Sequence, residues 1–202
     1  MNDWMSDKVS AMPPLSMDRI EGLAELILEE ISPDSLAAPT PFDALHLLER
    51  VLPDLGVHIL PGEEGELRGC EAFTDPAGTG DIEILVCEDM WDDLLDGGRP
   101  ANRPRATIAH EISHAVLHVP ILRRRIRESS GIESLIFARK RRGEIKPYRD
   151  PEWQAWALAG CLLAPRKTLM MLNGCSVEQV AERYKISVGM LKNHLKRLKI
   201  TL

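Results

Sequence analysis

The chain has 202 residues, 44% hydrophobic and 28% charged, a globular composition with enough length for one packed domain and a small appendage. Its net charge of −6 conceals an asymmetry: residues 1–100 carry 5 Lys+Arg against 23 Asp+Glu, net −18, while residues 101–202 carry 20 against 8, net +12. Such a split signals either an oppositely charged partner or pairing of the two halves within the fold. No stretch approaches the ~18–20 uncharged apolar residues of a spanning helix, so no membrane partner is expected. The opening Met1-Asn-Asp-Trp-Met-Ser-Asp has no basic segment followed by an apolar one, and a cytoplasmic location is expected. Cys70, Cys87, Cys161 and Cys175 lie far apart with no Cys-x-x-Cys pair, a usage that fits reduced, mostly buried thiols.

In chain order, residues 1–16 are polar with Met-Pro-Pro punctuation and are expected to form a flexible leader. Ile20, Leu23, Ala24, Leu26, Ile27 and Ile31 recur at helical spacing up to Ser32-Pro33. A second helix is carried by Ala44, Leu45, Leu47, Leu48 and Val51, closed by Pro53 and Gly56. Three strands are expected, at Val57–Leu60, Leu67–Phe73 and Ile82–Val86, the last two joined as a hairpin through the turn-rich 76–80. A strong helix follows from about Pro104 to His118, stopped by Pro120. Residues 121–149, with Arg123-Arg-Arg125, Arg127 and Arg139-Lys-Arg-Arg142, read as a long, basic, poorly periodic insertion with room for one short helix. Asp150 as cap and Pro151 at the first position open a helix running to about Leu163. Two more helices are expected between Ser176 and Leu198, broken near Ile186-Ser187.

The chemistry is concentrated in His110-Glu111-Ile112-Ser113-His114, an H-E-x-x-H sequence inside a predicted helix. With 6 His in the chain, roughly 0.016 such matches are expected by composition alone. Residues four apart lie one turn apart on one helix face, so His110 and His114 can converge on a single zinc ion. Glu111, about 100° round the helix, can take the proton from an attacking water while the cation polarises a carbonyl. Catalytic zinc needs a third protein ligand. His118 continues the face of His114 but lies ~12 Å of rise from His110, which leaves it a packing or hydrogen-bonding role. Pro120 and Ile121 stand where the metzincin pattern demands a histidine. Of Asp150 and Glu152, the first is occupied as an N-cap. Glu152 opens a segment so apolar that its helix must be buried, and a carboxylate entering a core wants a cation. The expected ligands are therefore His110, His114 and Glu152, binding one zinc ion per chain.

Thr107-Ile-Ala-His-Glu-Ile-Ser-His-Ala-Val-Leu-His118, with Tyr148-Arg-Asp-Pro-Glu-Trp-Gln-Ala-Trp-Ala-Leu-Ala159 and Leu162-Leu-Ala-Pro165, resembles the ImmA/IrrE metallopeptidase family over roughly residues 40–200. The resemblance implies an α+β, mainly helical, zincin-like fold with a small three-stranded sheet. It also implies a gluzincin-like zinc peptidase whose protein substrate is a helix-turn-helix repressor or antitoxin-like partner, cut to relieve repression in induction or stress responses. On that pattern His110, His114 and Glu152 match the metal ligands and Glu111 the catalytic acid/base. The family usually has Asn after the second block's alanine, where this chain has Trp156, and Gly where it has Ser113. Neither departure removes a ligand. Tyr148, just upstream of Glu152, reads either as an oxyanion donor or as a loop tyrosine packing by its ring.

The expected organisation is a leader (1–16), a zincin-like domain (17–170) and a helix-turn-helix-like pair packed on it (171–202). In that pair Lys192, Asn193, Lys196 and Arg197 are expected to face outward, so 176–198 reads either as structural closure or as a DNA contact. The Arg-rich 121–149 segment is expected to flank the cleft and meet an acidic partner segment or nucleic acid. The alternative to a peptidase is a DNA-binding or regulatory protein whose metal site is structural or inactive.

Overall fold

The structure, a computed structural model, describes residues 8–67, 69–76, 80–96, 102–128, 139–141 and 145–202. Strand β1 (Lys8–Ser10) leads into α1 (Met17–Ile31). This helix starts where the Ser16 hydroxyl accepts the Arg19 N–H, and Ile20, Ala24, Leu28 and Ile31 form its buried stripe. Short helical turns follow, and Gly56, in the left-handed region at φ 69°, turns the chain into β2 (Val57–Pro61). Next come β3 (Ala72–Thr74), β4 (Ile82–Val86), α2 (Glu88–Asp96), α3 (Asn102–Leu117) and α4 (Val119–Glu128). Strand β5 (Arg139–Arg141) and helices α5 (Pro151–Leu163), α6 (Val177–Tyr184) and α7 (Val188–Leu198) complete the order.

The fold is α+β and mainly helical, with the expected three-stranded sheet in the order β2-β4-β3. Strand β4 is central: β2 runs parallel to it, with Ile59 opposite Ile84, and β3 antiparallel, with Phe73 opposite Leu85. A parallel pair needs a crossover and an antiparallel pair only a turn, so the chain crosses from β2 to the far edge, lays down β3, and returns as β4. The core lies where the sheet meets α3 and α5, with Ile84, Ile108, Leu158, Leu162 and Leu191 at most 1% exposed. Helix α5 is apolar on nearly every side because α1, α3 and α7 all pack against it.

Several expectations are corrected. Residues 8–16 of the expected leader are tied to the fold: β1 pairs with β5, Val9 opposite Lys140. Met12 is buried, and the Met12 and Leu15 N–H groups donate to the Arg149 and Tyr148 carbonyls. The second strand is shorter than Leu67–Phe73, because Glu64–Leu67 is a helical turn. Helix α3 ends at Leu117, as expected, but a new helix starts at once across Pro120. That proline is the second residue of α4, where no backbone N–H is needed for an intrahelical bond. The basic run 123–127 is thus helical, while 129–138 and Arg142 lie outside the described residues. Of the cysteines, all free, only Cys161 is fully buried, and Cys70 is exposed.

The C-terminal pair is well specified locally. The Ser176 hydroxyl accepts the Gln179 N–H and the Gln179 side chain accepts the Ser176 N–H, a reciprocal capping box. Lys185, left-handed at φ 54°, makes the turn. Leu191, His194, Leu195 and Leu198 are buried, and His194 supplies the join to α5. Its Nε2 donates to the Ala164 carbonyl at 2.9 Å, and its ring lies so close over Gly160 that a Cβ there would sit 2.3 Å from Nδ1. Burial lowers the His194 pKa from 6.5 to about 4, against the opposing effect of the Ala164 hydrogen bond.

Two outcomes follow from this join. Gly160→Ala should destabilise the protein by about 1–3 kcal/mol in urea unfolding, because the methyl has no space beside the imidazole. Because the folded state holds His194 neutral, its contribution is complete above the unfolded pKa of 6.5 and is lost as pH falls toward 4. Stability should fall by up to about 3 kcal/mol over that window, and the slope should flatten in His194→Gln.

Candidate metal centre

Helix α3 is buried along its middle, with His110 7%, Glu111 8% and Ser113 0% exposed. The Ser113 hydroxyl, where a glycine was the pattern, turns back to donate to the Ala109 carbonyl at 2.7 Å and leaves no unsatisfied group in the core. Helix α5 packs across α3. Its start is fixed by the Asp150 carboxylate, which accepts the Glu152 N–H at 2.9 Å, and by Pro151 at the first position. That start brings Glu152 opposite the two histidines.

His110 Nε2 lies 3.1 Å from His114 Nε2 and 3.4 Å from Glu152 Oε2, and His114 Nε2 lies 3.3 Å from Glu152 Oε1. A tetrahedral ion with bonds of 2.0–2.1 Å requires ligand-to-ligand edges of about 3.3–3.4 Å. The separations are close to that edge length, with each histidine nearest a different oxygen of the Glu152 carboxylate, and one ligand atom from each residue lies within 4.8 Å of the other two. Two neutral imidazoles and a carboxylate are also the donor set that zinc favours at a site with one position open. Burial alone would raise the Glu152 pKa. The hydrogen bonds and charge of His110 and His114 more than offset it and hold the carboxyl well below the usual range, ready as an anionic ligand. Among the described residues, these three form the one group of His, Cys, Asp and Glu side chains that could hold a metal ion.

The neighbours of these groups were not visible in the sequence. The Thr74 hydroxyl, at the end of β3, donates to Glu111 Oε2 at 2.5 Å. His118 stands beside the site, as expected, through hydrogen bonds: its Nδ1 lies 2.9 Å from His114 Nδ1 and its Nε2 3.1 Å from Gln154 Oε1. Burial, then the His114 charge, lower its pKa to about 4. Trp156 stacks on the His110 ring, with centroids 4.2 Å apart and 29° between planes. His110 Nδ1 is buried with no hydrogen-bond partner among the described residues. Tyr148 is 46% exposed and does not line the cleft; its carbonyl, not its ring, is engaged, accepting from Leu15 and Gln154.

The centre opens into a cleft of about 330 Å³ lined by Ala72, Phe73 and Thr74 of β3, the site residues, and Val119 and Leu122 of α4. An adjoining cavity of about 650 Å³, sharing Cys70, is lined by Glu63, Glu64, Glu71, Glu88 and Asp89. The arginines of α4 are partly engaged within the chain. Arg123 donates to the Gly80 and Asp81 carbonyls, Arg124 pairs with Glu128, and Arg125 donates to the Ala11 carbonyl. These arginines are thus engaged within the chain, two of them by backbone carbonyls, and among the described residues the neighbouring cavity is lined by acidic rather than basic side chains.

A buried H-E-x-x-H helix crossed by a helix that presents a glutamate, beside the edge of a small sheet, defines a metallopeptidase-like centre. The model of the IrrE N-terminal-like domain, a peptidase family, matches residues 94–196, from the end of α2 into α7, and the chain belongs to that ImmA/IrrE family. No curated protein and no solved structure matches the chain. No helix among the described residues is long and apolar enough to cross a membrane.

His110→Ala and Glu152→Ala should each lose stoichiometric zinc after dialysis, measured by atomic absorption, while Tyr148→Phe should retain it. Zinc retained by His110→Ala would show that the ion sits elsewhere.

Proposed function

We propose that the protein is a zinc-dependent endopeptidase that cleaves a helix-turn-helix repressor or antitoxin-like partner and so relieves repression. The observation that carries the peptidase reading is Glu111: buried beside the three ligand atoms, it is a general base that a purely structural zinc site has no use for. Zinc held by His110, His114 and Glu152 would supply Lewis acidity toward a peptide carbonyl and acidify the attacking water. The chain's own residues do the rest. The Thr74 hydroxyl occupies Glu111 Oε2, which stabilises the carboxylate and leaves Oε1 to take the proton of water and return it to the leaving amine.

The substrate lies along β3. The Cys87 N–H donates to the Glu71 carbonyl and the Asp75 N–H to the Glu83 carbonyl, so Glu71 and Asp75 face β4. By antiparallel alternation, Ala72 and Thr74 direct their backbone groups to the other edge. An extended peptide pairs with such an edge, and this one borders the cleft. The acidic adjoining cavity suits a basic partner, and the DNA-contacting surface of a repressor is basic.

The second reading, a DNA-binding regulator, draws on exposed Lys192, Asn193 and Lys196 of α7. The burial of Leu191, His194, Leu195 and Leu198 against the domain favours closure as the main role of 176–198.

The test is incubation of the zinc-loaded protein with helix-turn-helix repressors from its own genome, read by mass spectrometry. Glu111→Gln should keep zinc and lose cleavage by about 10²–10⁴-fold; cleavage at the parent rate sinks the mechanism. Thr74→Val should keep zinc and slow cleavage by about 10–100-fold, the value of one hydrogen bond to a charged group.

A further inference from the structure

We propose that Gln154 and His118 are positioning residues that fix His114 as the tautomer whose Nδ1 carries the hydrogen and whose Nε2 offers its lone pair to the cation. The proposal rests on the reading of His110, His114 and Glu152 as the metal site. It begins two residues from any ligand, at the Gln154 amide, which is 1% exposed.

Gln154 Nε2 donates to the Pro13 carbonyl and to the Tyr148 carbonyl, both at 2.8 Å. Backbone carbonyls only accept, so the amide cannot be turned round, and Oε1 is the atom that faces His118. That oxygen also only accepts, so His118 Nε2, 3.1 Å away, is the donor. The His118 ring is 2% exposed, and a neutral imidazole has one N–H, which leaves its Nδ1 as an acceptor. The atom it faces, at 2.9 Å, is His114 Nδ1, which therefore donates. The remaining nitrogen of His114 is the one that lies 3.3 Å from Glu152 Oε1. Each step removes one of two options, and the sequence ends on the ring nitrogen that the ligand role requires.

The relay also ties the site to the N-terminal segment, because one of the two carbonyls that orient Gln154 belongs to Pro13. His110 has no counterpart among the described residues: its Nδ1 meets no partner there, and its ring stacks on Trp156. The two histidine ligands are thus held by different means, one by a directed hydrogen-bond chain and the other by an aromatic face.

The experiment compares two variants that give up the same amide donations to Pro13 and Tyr148 but differ at the acceptor. In chelator competition with zinc, Gln154→Leu should lose about 10–100-fold in affinity and Gln154→Glu, whose carboxylate still accepts from His118, should stay within about threefold of the parent. Equal affinities in the two variants, whether both lowered or both retained, overturn the relay. Side-chain nitrogen NMR of the metal-free parent gives an independent reading: His118 should carry its hydrogen on Nε2 and His114 on Nδ1, and either opposite assignment overturns it. A parent that binds no zinc would sink the metal-site reading, and the NMR assignment would still decide the relay.

Discussion

The constraint on which the rest depends is the crossing of two buried helices, α3 and α5, at the one place where each carries polar groups. Around these groups and the His118–Gln154 hydrogen bond the crossing is packed with apolar side chains, among them the fully buried Ile108, Ala109, Ala155 and Leu158. Two histidines and a glutamate could not be accommodated there singly, since an uncompensated polar or charged group in a core costs several kcal/mol. Together they satisfy one another. The crossing is therefore both the core of the domain and its chemical centre, and the same packing that stabilises the fold sets ligand separations of 3.1–3.4 Å.

Those parts that depend on local rules were legible in the sequence. Spacing by one helical turn gave the two histidines, and the Asp150-Pro151 start gave the helix whose first turn holds Glu152. The helix pair at the C-terminus was readable from Ser176, Ser187 and the apolar periodicity between them. What could not be read arises from contacts distant in sequence: Thr74 on Glu111 spans 37 positions, and His118 on Gln154 spans 36. Periodicity and capping carry no information about such pairs. The end of α3 at Leu117 was readable, but the restart as α4 was not, because proline is compatible with the first turn of a new helix and its presence alone cannot distinguish a stop from a restart.

The charge arithmetic acquires a different meaning in three dimensions. The basic C-terminal half does not present a uniform face. Arg166 pairs with Glu21 of α1, Arg103 with Glu71, and Arg123 caps the Gly80–Asp81 turn. Among the described residues two ion pairs join the halves, so only part of the imbalance is cancelled there, and acidic residues line the cavity beside the cleft. A net charge summed over sequence says little about where a field survives, because paired charges cancel within a Debye length of about 8 Å.

Trp156 has a consequence beyond holding a ring in place. An indole in face contact with the His110 imidazole at 4.2 Å feels the change in local field when that ring engages a cation. Its emission should therefore respond to a cation at the centre, against the background of the other three tryptophans. The molecule carries its own optical indicator at the position where this family ordinarily places an amide, so metal entry and loss can be followed in real time by ultraviolet fluorescence, without a label and without knowledge of the substrate.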